Sequence, residues 1–213
     1  VGQVDYYKSL IREAALDSEL EEQLRELISQ KNYFGVEELL KEQNLDSQLT
    51  QALTELPQMF GSFVVLEKAR SLTSSPAALS AVKRLEEIYE ILKLYGCEKY
   101  IAFDFGMLSK YRYYTGIIFQ AYTYGTGEPL IKGGRYNDLM KHFGKPAASI
   151  GFAIVVDNLM LALSRQKIEV PARKETIILT YQRDELEKAV KEAMKLRAQG
   201  ENVALRPAKE ELD

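Results

Sequence analysis

The chain has 213 residues, with 28 Lys and Arg against 31 Asp and Glu and a formal net charge of −3. That length supports one good-sized domain plus a fragment, or two small ones. The acidic balance argues against nucleic acid as a partner, because such proteins usually carry a basic face. A single cysteine, Cys97, excludes an internal disulfide and fits a reducing, cytoplasmic setting. It follows an apolar helical pattern, so a buried, inert position is expected. The longest apolar stretch, Ile150 to Leu163, contains Asp157 and Asn158. It is too short and too polar to span a bilayer, and no signal peptide is evident, so no membrane partner is expected. The sequence opens abruptly on Val1 rather than Met, as though cut from a longer protein.

Residues 1–95 read as helical. Ser18 and Glu21 form a capping-box pattern ahead of Leu20, Leu24, Leu27 and Ile28. Leu39 and Leu40 end a short helix, and Asp46 or Ser47 can cap the next. Ser75-Pro76 supplies a capping hydroxyl followed by proline at the first helical position. Leu79, Val82, Leu85, Tyr89 and Leu92 then recur at helical spacing, and Gly96 is the expected C-cap.

From Lys99 the period changes. Tyr100 to Phe105 and Tyr113 to Tyr124 read as strands rich in aromatic and β-branched residues. Gly125-Thr126-Gly127 is a turn, and Leu130 to Lys132 returns as a third strand, completing an antiparallel meander. Gly133-Gly134 is expected to break it, and Asn137 to His142 to form a short helix. Ser149 to Val155 reads as a buried strand running into an amphipathic helix through Asp157, Leu159, Met160 and Leu163. Ser164 to Glu175 is polar, contains Pro171 and reads as a linker. Strand Thr176 to Tyr181, helix Asp184 to Gln199 and strand Asn202 to Leu205 then open a βαβ unit.

Familiar catalytic signatures are missing from the sequence: no Walker loop, no GxGxxG, no CxxC and no HExxH. The one histidine, His142, reads as a surface loop residue. Asp104 has no carboxylate nearby in sequence, and Glu86 and Glu87 lie on a solvated helix face. No metal site and no cofactor are expected. Two segments stand apart: Ser109-Lys110-Tyr111-Arg112-Tyr113-Tyr114-Thr115-Gly116, and Gly133-Gly134-Arg135-Tyr136 followed by Ile150-Gly151-Phe152-Ala153-Ile154. Taken singly, the aromatics are explained by sheet packing and the glycines by a turn or a close backbone approach.

Taken together and in order, these segments resemble histidyl-tRNA synthetase. The family's Arg-Gly-Leu-Asp-Tyr-Tyr-Thr-Gly motif is matched by residues 109–116, and Gly-Gly-Arg-Tyr-Asp by Gly133 to Asn137. Class II motif 3, Gly-Phe-Ala-Ile-Gly-Leu-Glu-Arg-Leu, is matched by Gly151 to Leu159. Val1-Gly2-Gln3-Val4-Asp5 resembles the entry to the family's helical insertion. The resemblance covers roughly residues 1–165. It implies an α+β fold: part of a class II aminoacyl-tRNA synthetase-like antiparallel sheet with a helical insertion, plus a truncated C-terminal α/β unit. The implied domains are 1–165 (1–95 mainly helical, 97–165 sheet and motif 3 helix), a linker at 166–175, and 176–213. Motifs 1 and 2 have no counterpart in the sequence, so an exposed sheet edge is expected where their strands belong.

The departures are as informative as the matches. The family's arginine that activates the histidine carboxylate is Ser109, and the motif 3 arginine that grips the triphosphate is Asn158. Two positive charges are thereby removed from a phosphoryl-rich transition state, where one such group is often worth several orders of magnitude in rate. Arg112 has the opposite strand parity to Ser109 and is not expected to replace it. The positions that line the family's histidine site are intact as Tyr114, Tyr136 and Gly151, with Gly133 and Gly134 beside them. Lys132 replaces a small residue there and could crowd or re-aim the site. The combination resembles the regulatory paralogue of the synthetase, which partners the short-form ATP phosphoribosyltransferase catalytic subunit. The resemblance implies a non-catalytic subunit with L-histidine as ligand, oligomeric at full length. The alternatives are a fragment of a true histidyl-tRNA synthetase and a diverged paralogue with another protein- or RNA-binding role.

Overall fold

Helices dominate the first part of the computed structural model, which describes residues 1–108, 113–170 and 175–208. They are α1 (Val4–Ala14), α2 (Ser18–Ser29), α3 (Tyr33–Lys41), α4 (Ser47–Glu55), α5 (Val64–Ser71) and α6 (Pro76–Leu94). Their apolar stripes converge on one core, where Tyr6, Leu10, Leu24, Ile28, Leu53, Leu66 and Leu85 are all but fully buried. Removing each such side chain from water stabilises the fold by roughly 1.5–3 kcal/mol. Tyr6 sets its ring edge against Phe105 at 4.7 Å and donates its hydroxyl to the Ala69 carbonyl at 2.8 Å.

The helix ends follow local chemistry, with one correction. The cap of α2 is Asp17 rather than Ser18: its carboxylate accepts from the backbone N–H groups of Glu19 and Leu20. Asp46 caps α4 in the same way. Ser75 stands at the start of α6 ahead of Pro76 but makes no side-chain cap bond. At the other end Gly96 adopts φ 66°. Gly96 N–H donates to Lys93 and Cys97 N–H to Leu92, the paired bonds that satisfy a helix's last carbonyls. Cys97 itself is half-buried rather than buried.

Strand β1 (Gly2–Gln3) precedes α1. Strands β2 (Phe60–Gly61) and β3 (Phe103–Asp104) form a separate antiparallel pair. The Tyr100–Phe105 segment is thus strand only at its end and lies outside the main sheet. That sheet contains β4 (Ile117–Ala121), β5 (Ile131–Arg135) and β6 (Ile150–Ile154), antiparallel in the order β1-β4-β5-β6. Residues 113–116 are not strand. Gly133 and Gly134 lie inside β5 instead of breaking it. The 139–143 turn is a 3-10 helix. Strand β6 is not buried: Ile150, Phe152 and Ile154 are 66%, 64% and 50% exposed. Among the described residues it pairs only with β5. Helix α7 (Val156–Arg165) follows directly.

Two units emerge, Val1–Gln166 and Lys167–Asp213. In the second, β7 (Ile177–Tyr181) and β8 (Val203–Pro207) pair in parallel around helix α8 (Leu186–Ala198). Among the described residues no helix is long and apolar enough to cross a membrane.

Candidate functional site

Two glycines stand opposite one another in neighbouring strands, Gly134 of β5 and Gly151 of β6. Directly opposed residues of an antiparallel pair share a face, so together they leave a strip of backbone without side chains there. Two tyrosines cover that floor. A Cβ at Gly134 would lie 2.7 Å from Cε1 of Tyr114, and one at Gly151 would lie 2.7 Å from the Tyr136 hydroxyl. The glycines are therefore required by close approach of rings, not by a turn. Tyr113 joins the pair, its ring centroid 4.5 Å from Tyr114 and 6.0 Å from Tyr136, the latter edge-on at 88°.

The supports of this site come from distant parts of the chain. Lys8 of α1 donates from Nζ to the Tyr114 carbonyl at 2.8 Å, across 106 residues. Val4 N–H donates to the Gly116 carbonyl at 3.0 Å. A phenol hydroxyl both donates and accepts, so each tyrosine can serve a small polar ligand in either sense. Among the described residues the arrangement carries no nucleophile–base pair. Among the described residues no group of three His, Cys, Asp or Glu could hold a metal ion.

The remaining candidate positions are distributed as follows. Lys132 is exposed and pairs with Gln120 and Ala153, which puts it on the same face as Gly134. Gly133 belongs to the opposite face, where a Cβ would meet Phe119 and Phe152 at 2.8 and 2.6 Å. Asn158 sits in the first turn of α7 and donates from Nδ2 to the Pro129 carbonyl at 3.0 Å. Ser109, Lys110, Tyr111 and Arg112 lie outside the described residues. His142 is exposed in the 139–143 turn. Nearby, the Lys141 ammonium bonds Asp138 at 2.6 Å and holds that carboxyl below its usual range, with Lys8 and His142 adding to the effect. Asp104 is paired with Lys31 at 2.5 Å.

Sequence reading missed Lys8 and the bridging role of Tyr113, because neither has a local signal. It also missed a groove of about 1650 Å³ on the other face of the sheet. Ala81, Arg84 and Ile88 of α6 line it on one side, and Ile117, Phe119 and Arg135 on the other.

Comparisons with known proteins place the chain in a family. The family model described as histidyl-tRNA synthetase matches residues 1–159. The ATP phosphoribosyltransferase regulatory subunit of Acetivibrio thermocellus is 35% identical over 200 residues, 94% of this chain and 48% of that protein. Its counterpart from Thermoanaerobacter sp. strain X514 is 37% identical over 205 residues, 96% and 54% of the two chains. A crystal structure of an ATP phosphoribosyltransferase regulatory subunit/histidyl-tRNA synthetase from Bacillus halodurans superposes with a TM-score of 0.70 at 31% identity. It covers 100% of this chain and 54% of that one. The chain thus spans about half the length of the relatives it matches. The family model spans residues 1–159 and the fold is shared with that structure: the chain belongs to the histidyl-tRNA synthetase family.

Proposed function

We propose that this chain is part of a non-catalytic regulatory subunit that activates the short-form ATP phosphoribosyltransferase and makes it sensitive to histidine. The observation that carries the reading is the pair Tyr114 and Tyr136 over the opposed glycines Gly134 and Gly151. An amino-acid pocket is kept while the positions for ATP chemistry hold Ser109 and Asn158. The Asn158 amide carries no charge and donates to the Pro129 carbonyl. The names of the relatives support the same assignment.

L-Histidine is the proposed ligand, read through its imidazole nitrogens and its amino group, with Gly133 and Lys132 as neighbours rather than as the floor. Feedback then follows from linkage: a ligand shifts an equilibrium only by its differential affinity for the two states. Moving an active-to-inhibited ratio from 99:1 to 1:99 requires about 5.5 kcal/mol of that difference. Calorimetric titration with L-histidine, with and without the catalytic subunit and with Tyr114→Ala alongside, tests the reading. Binding that weakens in the variant is the expected result; no binding in any combination would overturn the sensing role. The family match itself favours one other reading, a synthetase, and histidine-dependent ATP–pyrophosphate exchange would establish it instead.

A further inference from the structure

Three chain segments meet beside the two tyrosines, and one residue joins them. Asn137 Oδ1 accepts from Arg135 Nε at 3.1 Å and from the Ser149 backbone N–H at 3.0 Å. The Asn137 backbone N–H donates to Thr115 Oγ1 at 2.9 Å. Around this knot, Thr115 N–H donates to the Arg135 carbonyl and Tyr136 N–H to the Ser149 carbonyl, both at 2.8 Å. Thr115 follows Tyr114 and Asn137 follows Tyr136, so each tyrosine is one residue from an atom the knot fixes.

We propose that Asn137, acting with Thr115, is a positioning residue that sets the separation and tilt of Tyr114 and Tyr136 for ligand binding; this builds on the pocket reading above. Both partners of the Asn137 side chain are donors, so the atom between them is an acceptor. Among the described residues the side chain's hydrogen bonds all use this oxygen. The position therefore requires an acceptor and not an amide as such. Aspartate satisfies it and gains a charge-assisted bond from Arg135. Leucine satisfies neither donor. The knot also ties the entry of β4, the exit of β5 and the entry of β6 into one piece, across 22 and 12 residues of sequence. A misplacement of either tyrosine by as little as about 1 Å is enough to lose most of a positioned contact.

The test measures L-histidine dissociation constants by calorimetry, and activation of the catalytic subunit in the absence of histidine, for the wild type, Asn137→Leu, Asn137→Asp and Thr115→Val. Asn137→Leu and Thr115→Val should each weaken histidine binding about ten-fold or more while activation is unchanged. Asn137→Asp should stay within about three-fold of wild type. If Asn137→Leu does not fold, Thr115→Val carries the test, because it removes the opposite end of the backbone bond. Wild-type-like binding by Thr115→Val or Asn137→Leu refutes the proposal, as does an Asn137→Asp variant as weak as the leucine one. Loss of activation in parallel with binding would also refute it, since the role would then be general to the fold. A wild type that binds no histidine would instead fail the pocket reading, and this role with it.

Discussion

Replacing Gly151 with alanine adds one carbon 2.7 Å from the Tyr136 hydroxyl, 3.3 Å from Cε1 and 3.4 Å from Cζ. Favourable contact between such atoms begins near ~3.5 Å, so the hydroxyl must retreat by roughly 0.8 Å, whereas the ring carbons need only tenths. Overpacking of this kind costs about 1–3 kcal/mol. In a Tyr136→Phe background the shortest contact vanishes, and the same alanine should cost less than about 1 kcal/mol. The four-variant cycle is therefore expected to return a coupling energy of about 1 kcal/mol or more. Urea unfolding followed by tyrosine fluorescence reads it: the chain has no tryptophan, and every tyrosine except Tyr181 lies in the first unit. The slope in urea should stay constant across the set. Equal destabilisation in both backgrounds would refute the reasoning, placing the strain in the backbone rather than against the hydroxyl. Histidine affinity should also fall in Gly151→Ala, read by calorimetric titration, because the Tyr136 hydroxyl is displaced.

Other outcomes follow from single contacts. Burial raises the Tyr6 phenol above its ordinary 10.0, so the folded chain keeps a proton that the unfolded chain releases. Its contribution is complete below pH 10 and is lost as pH rises toward the folded value, at about 1.4 kcal/mol per pH unit. Stability should be flat in this respect up to about pH 10 and fall with that slope above it, and Tyr6→Phe should remove the fall. Asp17→Ala should destabilise α2 by about 1 kcal/mol and Ser18→Ala by much less, measured by denaturant midpoint; equal effects would restore Ser18 as the cap. Gly96→Ala, at φ 66°, should lower stability by about 1 kcal/mol, again by midpoint, and no change would mean that the helix end has relaxed.

The helices were legible because their signals are local: apolar residues every three or four positions, Asp46 before α4, Ser75-Pro76 before α6. The strands were less so. Tyr113, Tyr114 and Thr115 are strand-like residue types, yet tertiary contacts hold them in a loop above Gly134. Gly133-Gly134 reads as punctuation in a linear sequence, but the space above those residues is filled by Tyr114 on one face and by Phe119 and Phe152 on the other. The pairing of β1 with β4 joins residues more than a hundred positions apart, beyond any periodicity. Ile150, Phe152 and Ile154 promise burial by composition, and the described residues leave them exposed. At the site, motif order pointed to Tyr114, Tyr136 and Gly151. Lys8 and the bonds of Asn137 exist only once the fold brings them together.

The opposed glycines also bear on how this site can change over generations. Every missense change in either codon adds a Cβ, because every other amino acid has one, and at both positions that atom collides with a tyrosine. The floor is already at its minimum volume, so mutation can fill it but cannot deepen it. Loss of the proposed pocket is a single step away. Retuning that proposed site for a different ligand would have to come from its walls, at Tyr114, Tyr136 or the exposed Lys132.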